Sequence, residues 1–270
     1  MTLLQAIILG AVQGATEFLP ISSTAHLVLV PWFFGWTDPG LGFDIALHLG
    51  TLVALLLYFR AEWLALLGGG VDLLRGRREN PNAKLMLYIV VGTIPALIAG
   101  ALFSKFADTT LRNPLVIASA LIVLACVLVI AERTGRQRIK LDQMSLGDGL
   151  AIGCAQALAI IPGVSRSGVT ITASLFRGMT REAAARFSFL LSTPILGAAV
   201  SKAIVDGARH GFPSVSMSAA VAGIIVSGVV GYLSIAFLIR YLATHNTYVF
   251  VFYRIALGIV VIAAYFKGLS

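Results

Sequence analysis

The sequence predicts an all-α polytopic membrane protein, one membrane domain over residues 1–270, with six transmembrane helices and two re-entrant helix–loop–helix hairpins. Three observations carry this. First, 58% of the residues are hydrophobic and only 12% charged, with a mean hydropathy of +0.92; soluble domains carry about 25% charged residues. Second, apolar runs recur at the length, about 20 residues, that a helix needs to cross the hydrocarbon core. Third, two further apolar stretches are broken in the middle by polar residues. A transmembrane β-barrel would instead show short alternating segments.

Taken in order, residues 2–34 are apolar but interrupted by Glu17, Pro20, Ser22, Ser23, Thr24 and His26. Each side of the break is only about 14 residues long, too short to span. Irregular backbone survives at membrane depth only where it is buried in protein or lines a cavity. The stretch is therefore expected to enter and return, with a candidate site at its tip. Crossings are expected at about 43–61, 85–104 and 114–132. Residues 147–178 repeat the broken pattern at Pro162, Gly163, Ser165, Arg166 and Ser167, followed by crossings at about 182–205, 217–240 and 248–267. The same layout thus occurs twice, over about 1–140 and 141–270. Gly10 and Gln13 match Gly153 and Gln156; after a one-residue gap, Pro20-x-x-Ser23 matches Pro162-x-x-Ser165.

A hairpin returns to its own side and three crossings change sides, so the second repeat is expected to be inverted relative to the first. Charge supports one orientation. With both termini outside, thirteen of the twenty Lys and Arg residues fall on the cytoplasmic side, among them Arg75, Arg77, Arg78 and Lys84, and five fall outside. That is the positive-inside bias. It also accounts for the net charge of +8 without nucleic acid, for which there is no basic patch with interleaved aromatics. The first hairpin then dips in from outside and the second from the cytoplasm, and their tips meet near the midplane, a layout also found in transporters. Cys126 and Cys154 lie in apolar segments with no disulfide or zinc spacing and are read as inert packing residues. The first basic residue is Arg60, so a signal-peptide start is not expected.

Ionisable groups inside a membrane are costly and mark function. Here they are Glu17, His26, Asp44, His48, Arg166 and Arg254. Ser22, Ser23 and Thr24 follow Pro20, where hydroxyls cap the next half-helix and its N-terminal amides form an anion site. Ser165, Arg166 and Ser167 repeat this at the second tip, and Arg166 adds a planar fork suited to phosphate oxygens. A serine hydroxyl needs a neighbouring base to become a nucleophile; Glu17 is the candidate base and Ser23 the candidate nucleophile. His26, three residues after Ser23, shares its helix face and is read as orienting the hydroxyl or protonating the leaving oxygen. Asp44 and His48, spaced i, i+4, are read evenly as a structural or a functional pair. Arg254 is read as a brace. The inventory suits phosphoryl transfer.

At both tips the chain resembles one family. TEFLPISSTAH (Thr16 to His26) and PGVSRSG (Pro162 to Gly168) are similar to the signature motifs of the bacterial undecaprenyl-diphosphate phosphatases, also called bacitracin-resistance proteins. FDIALHLGT (Phe43 to Thr51) and RFSFLLSTP (Arg186 to Pro194) resemble further family stretches. The resemblance implies hydrolysis of undecaprenyl diphosphate to the monophosphate at the outer face of the bacterial plasma membrane. That reaction recycles the cell-wall lipid carrier and confers resistance to bacitracin, which sequesters the diphosphate. By motif position it implies a site of Glu17, Ser22, Ser23, Thr24, His26, Ser165, Arg166 and Ser167, and a divalent cation, Mg2+ or Ca2+. Many relatives carry a glutamate where this chain has Gln13, so one carboxylate, Glu17, is left; the ion is expected to arrive on the diphosphate and keep several waters. The expected partners are a lipid diphosphate and the bilayer, with a homo-oligomer compatible with the reading. The alternative expectation is a polyprenyl-phosphate flippase or transporter using the same site.

Overall fold

In a computed structural model of the chain, which describes residues 1–77, 79–210 and 215–268, the first break falls at Pro20. Arg78 of the charge count lies outside the described residues. Helix α1 (Leu3–Phe18) starts on a capping box: the Thr2 hydroxyl accepts from Gln5 N–H, and the Gln5 side chain accepts from Thr2 N–H. It ends as Leu19 becomes extended before the proline. Helix α2 (Ser23–Phe34) closes on Gly35, which takes the left-handed φ of 61°. With 16 and 12 residues, the two are about 24 and 18 Å long at 1.5 Å per residue, short of the roughly 30 Å core.

Helix α3 (Leu41–Tyr58) is followed by an 80° bend into α4 (Arg60–Leu74). Next come α5 (Pro81–Thr110), α6 (Pro114–Thr134), the second broken pair α7 (Leu146–Ala157) and α8 (Arg166–Phe176), then α9 (Arg181–His210), α10 (Met217–Thr244) and α11 (Tyr248–Phe266). Among the described residues all regular structure is helical apart from one isolated bridge, Ile139 to Met179. Among the described residues five helices (α5, α6, α9, α10 and α11) are long and apolar enough to cross a membrane, and the bent α3–α4 pair makes the sixth candidate. The expected crossings therefore stand. Helix α4 lies between the expected crossings at about 43–61 and 85–104 and carries Gly68, Gly69 and Gly70. Gly69 lets α4 lie against the backbone of Asn82 and Ala83, while Leu64, Leu67, Val71 and Leu74 form an exposed apolar stripe.

The two breaks share one backbone device. Ser22 and Ser165 both hold positive φ, 76° and 71°, and each caps the helix after it by accepting from the N–H three residues on, Ala25 and Gly168. Such backbone costs about 1–3 kcal/mol per residue. The caps pair Ser22 with Ser165 at the same 143-residue offset that relates Gly10 to Gly153 and Gln13 to Gln156. By the caps Ser23 stands opposite Arg166 and Thr24 opposite Ser167, whereas the proline motifs set Ser23 opposite Ser165 across a one-residue gap.

Packing between the halves is reciprocal. Helix α1 lies along α10 as α7 lies along α5, α3 packs on α9, and α6 packs on α11. Gly10 permits the first approach, since a Cβ there would sit 2.5 Å from the Gly223 carbonyl oxygen, and Gly153 stands in the same way against Gly92. A buried aromatic cluster seals the region behind the first tip: Phe18 meets Phe189 edge-on at 5.3 Å, and Phe189 meets Phe59 at 6.2 Å. Ser188 bonds Thr170 of α8 at 2.6 Å, so the Arg186–Pro194 stretch packs directly under both hairpins. At its open end the second hairpin is closed by Arg177 Nε donating to Asp148 Oδ1 at 2.6 Å. Cys126 and Cys154 are free and exposed on the bundle surface, which corrects their reading as packing residues.

Arg254 of α11 ties the breaks together. Fully buried, it donates to the carbonyls of Pro20 (3.1 Å) in the first break, Gly163 (2.9 Å) and Val164 (3.3 Å) in the second, and Leu121 (3.1 Å) and Ala120 (3.4 Å) of α6.

Two expectations follow. Gly10→Ala and Gly153→Ala each cost about 1–3 kcal/mol by overpacking, read as a drop of several degrees in the melting temperature in detergent, whereas Gly100→Ala, whose Cβ meets nothing within 4 Å, leaves it unchanged. Arg254→Met strands buried carbonyls at about 1–3 kcal/mol for each one left unsatisfied; the same melting assay should register a larger drop than either glycine variant.

Candidate active site

Pro20 ends α1 just after Glu17, and the Ser22 cap turns the chain so that Ser23 begins α2 beside that carboxylate. Ser23 Oγ donates to Glu17 Oε2 at 2.5 Å. Gln13, one turn before Glu17 on α1, donates its Nε2 to the same oxygen at 3.0 Å. His48, arriving from α3, places Nε2 3.4 Å from it. The other oxygen, Oε1, lies 3.7 Å from Nη1 of Arg166 at the start of α8. The Glu17 side chain is 4% exposed, and those of Arg166 and His48 20% and 15%.

The second tip is locked onto the first by Ser167, whose hydroxyl donates to the carbonyls of Leu19 (3.0 Å) and Glu17 (3.3 Å). Ser165 and Ser167 hydroxyls lie 3.2 Å apart. Sequence-predicted residues from both hairpins are thus brought together: Gln13, Glu17, Ser22, Ser23, Ser165, Arg166 and Ser167 form one cluster. Thr24 is half-buried beside Ser23, and its hydroxyl has no partner among the described residues.

His26 sits differently from the expectation. Its Nδ1 bonds the Ser22 carbonyl at 2.7 Å and its Nε2 the Tyr253 hydroxyl at 2.6 Å. A carbonyl only accepts, so Nδ1 carries the hydrogen and Tyr253 donates to Nε2. Both ring nitrogens are occupied, and the imidazole supports the backbone of the cap rather than bonding the Ser23 hydroxyl. Tyr253 had no signal in the sequence beyond its place next to Arg254. His48, held even between two readings, is drawn into the cluster; its partner Asp44 turns its carboxylate to Arg112 (3.3 Å), which also holds Asp38 (3.1 Å).

Two buried polar atoms of the cluster lack hydrogen-bond partners, Gln13 Oε1 and Arg166 Nη1. Orphaned buried donors are rare, and a guanidinium N–H with nothing to bind is a ready partner for an anionic oxygen. The local balance points the same way: one carboxylate faces Arg166 and His48, while Arg254 close behind is matched by carbonyls alone. The cluster supplies a hydroxyl bonded to a carboxylate, a free guanidinium donor and two half-helix N-termini, which is what attack on a phosphorus centre requires.

The bacitracin resistance protein BacA family model matches residues 6–260. A protein named undecaprenyl-diphosphatase from Moorella thermoacetica is 48% identical over 265 residues, covering 98% of both chains. One of the same name from Gemmatimonas aurantiaca is 47% identical over 97% of this chain and 98% of its own. Another from Desulforudis audaxviator is 49% identical over 96% of each. From Glu17 at one break to Arg166 at the other, the clustered residues lie inside the matched range, and the chain belongs to the bacitracin resistance protein BacA family.

Proposed function

We propose that this protein hydrolyses undecaprenyl diphosphate to undecaprenyl phosphate and inorganic phosphate, with Glu17 as base, Ser23 as nucleophile and Arg166 as the phosphate-binding group. The observation that carries this is the 2.5 Å hydrogen bond from Ser23 Oγ to Glu17 Oε2 beside Nη1 of Arg166, which has no hydrogen-bond partner. The names of full-length relatives supply the substrate.

In the proposed reaction the terminal phosphoryl group sits with an oxygen on Arg166 Nη1 and others at the N-terminal amides of α2 and α8. Ser23 Oγ attacks phosphorus as its proton passes to Glu17. The bond from phosphorus to the bridging oxygen breaks, and the departing lipid phosphate takes the proton. Glu17 then takes a proton from the water that attacks the phosphoserine and returns it to Ser23 Oγ as the bond from that oxygen to phosphorus breaks, releasing inorganic phosphate. His26 assists by holding the Ser22 carbonyl, and with it the strained cap that presents Ser23. Gln13 fixes Glu17 Oε2; Ser22, Thr24, Ser165 and Ser167 shape the two phosphate-facing tips.

The divalent cation that the family resemblance implies does not find a cage in these residues. Among the described residues no three His, Cys, Asp or Glu side chains are grouped to hold a metal ion. Glu17 Oε2 already faces three donors, and a guanidinium stands 3.7 Å from Oε1. Mg2+ or Ca2+ is therefore proposed to enter on the diphosphate, and no step above depends on it.

The reading includes an orientation in the bacterial plasma membrane. Both termini and the first hairpin face outward, and the halves 1–140 and 141–270 form an inverted pair within a single domain. Reciprocal helix packing, matched Ser22 and Ser165 caps and the bias of basic residues support it. Hydrolysis at the outer face would lower the diphosphate pool that bacitracin binds, and so confer resistance. One observation favours a second reading, lipid movement. A cleft of about 1110 Å3 opens at the other side of the bundle, lined by Lys84, Lys140, Arg181 and Arg186 together with Glu62 and Tyr88.

Phosphate release from undecaprenyl diphosphate by protein purified in detergent separates the readings, since a pure transporter releases none. Ser23→Ala and Glu17→Gln should each lower kcat by at least about 100-fold, and Arg166→Met by about 100- to 1,000-fold. Full turnover in Ser23→Ala would move the attack to water with Glu17 as its direct base. For orientation, a cysteine at Thr2 in a chain lacking Cys126 and Cys154 should react with an impermeant maleimide added to intact cells. One at Glu79 should react only after permeabilisation.

A further inference from the structure

Glu17 is buried and Arg166 partly so, and a carboxylate and a guanidinium so placed ordinarily close into a two-pronged ion pair. Here they do not: Nη1 stays 3.7 Å from Oε1 and has no hydrogen-bond partner. The cause lies on the far side of the carboxylate. Oε2 faces three donors, Ser23 Oγ, Gln13 Nε2 and His48 Nε2, which hold the group turned away from Arg166. Two of them come from the first hairpin itself. The third, His48, comes from α3 and belongs to the FDIALHLGT stretch, which the reaction outlined above leaves without a task.

His48 is built to hold that position. Its Nδ1 lies 2.7 Å from the Asp44 carbonyl, which only accepts, so Nδ1 carries a hydrogen. Nε2 lies 3.4 Å from the Glu17 carboxylate, so a hydrogen there makes the ring an imidazolium whose second donor faces that carboxylate. The turn of α3 that carries it is fixed in its place: Arg112, from the connection between α5 and α6, bonds the Asp44 carboxylate at 3.3 and 3.4 Å. The Thr51 hydroxyl, one turn on, donates to the His48 carbonyl at 3.0 Å.

We propose that His48 is a positioning residue that holds the Glu17 carboxylate on Ser23 and so keeps Arg166 free to bind the phosphoryl group. This rests on the reading of Glu17 as base and Arg166 as phosphate ligand. Without His48 the carboxylate turns toward Arg166, which weakens phosphate binding and misaligns the base together; a residue that only fills space would do neither through Glu17.

The test uses the full-length protein in detergent. A glutamine amide reaches the place of Nε2, whereas an asparagine amide reaches only that of Nδ1. His48→Asn should therefore lower kcat/KM for undecaprenyl diphosphate by about 10- to 100-fold, and His48→Gln should recover most of the loss. Equal impairment of the two, or wild-type kinetics in His48→Asn, overturns the proposal. The second measurement, inorganic phosphate affinity by calorimetry, stands apart from turnover. His48→Asn should weaken it about tenfold in the otherwise native chain and leave it unchanged in Glu17→Gln, where no carboxylate is present to capture Arg166. The same weakening in both backgrounds marks a merely structural role and also overturns the proposal. Full turnover in Glu17→Gln alone would instead remove the base reading, leaving the phosphate-affinity comparison to judge His48 separately.

Discussion

The rest of the structure depends on how Arg254 satisfies two broken helices at once. A break inside a bilayer leaves carbonyls with no water to accept from, and each one left bare is expensive. Arg254 presents its donors to five carbonyls, one in the first break, two in the second and two on α6. Lysine, with one compact ammonium group, lacks that planar spread. Because one guanidinium serves both breaks, the tips are fixed relative to each other as well as to the bundle. The Ser167 hydroxyl on the Leu19 and Glu17 carbonyls adds a second bond between them. That mutual placement lets a carboxylate from α1 and a guanidinium from α8 address the same small volume.

Strain is concentrated in the same place. Ser22 and Ser165 are two of the three non-glycine residues with positive φ among the described residues. Each caps its following helix, accepting from Ala25 N–H or Gly168 N–H, at the point where the chain turns into the tip. His26 and Tyr253 buttress the first cap, and the Phe18, Phe59 and Phe189 cluster backs it with close apolar packing. Such a site is costly to assemble and is already arranged before substrate arrives, which is where electrostatic stabilisation of a transferring phosphoryl group gains most.

Much of this was legible in the sequence because the bilayer sets a length scale. Crossings show as long apolar runs, and hairpins as runs of similar composition interrupted by Pro20 or Pro162 and hydroxyl residues. Glu17, Ser23 and Arg166 stood out because charge and clustered hydroxyls are rare in such a background. Helix α4 escaped, since three glycines and scattered charges conceal its apolar stripe of Leu64, Leu67, Val71 and Leu74. The prolines sit at different distances from their caps, so the likeness of Ser22 to Ser165 shows in backbone φ and not in the proline motifs. His26 was read as sharing a helix face with Ser23, but its ring is claimed by Ser22 and Tyr253, and a contact 227 residues away in sequence leaves no trace in local spacing. His48 carried a usable signal, a polar side chain one turn from Asp44 on an apolar helix. Its reach to Glu17 is a contact between helices that periodicity cannot display.

The central claim is that Ser23, activated by Glu17, attacks the phosphorus. The most direct measurement is a rapid acid quench during a single turnover of undecaprenyl diphosphate, followed by mass spectrometry of the peptide around the first break. Phosphate carried on Ser23, rising before and decaying with release of inorganic phosphate, is the expected result. Release of inorganic phosphate with no phosphorylated Ser23 at any time, or with the phosphoryl group on another residue, would contradict it.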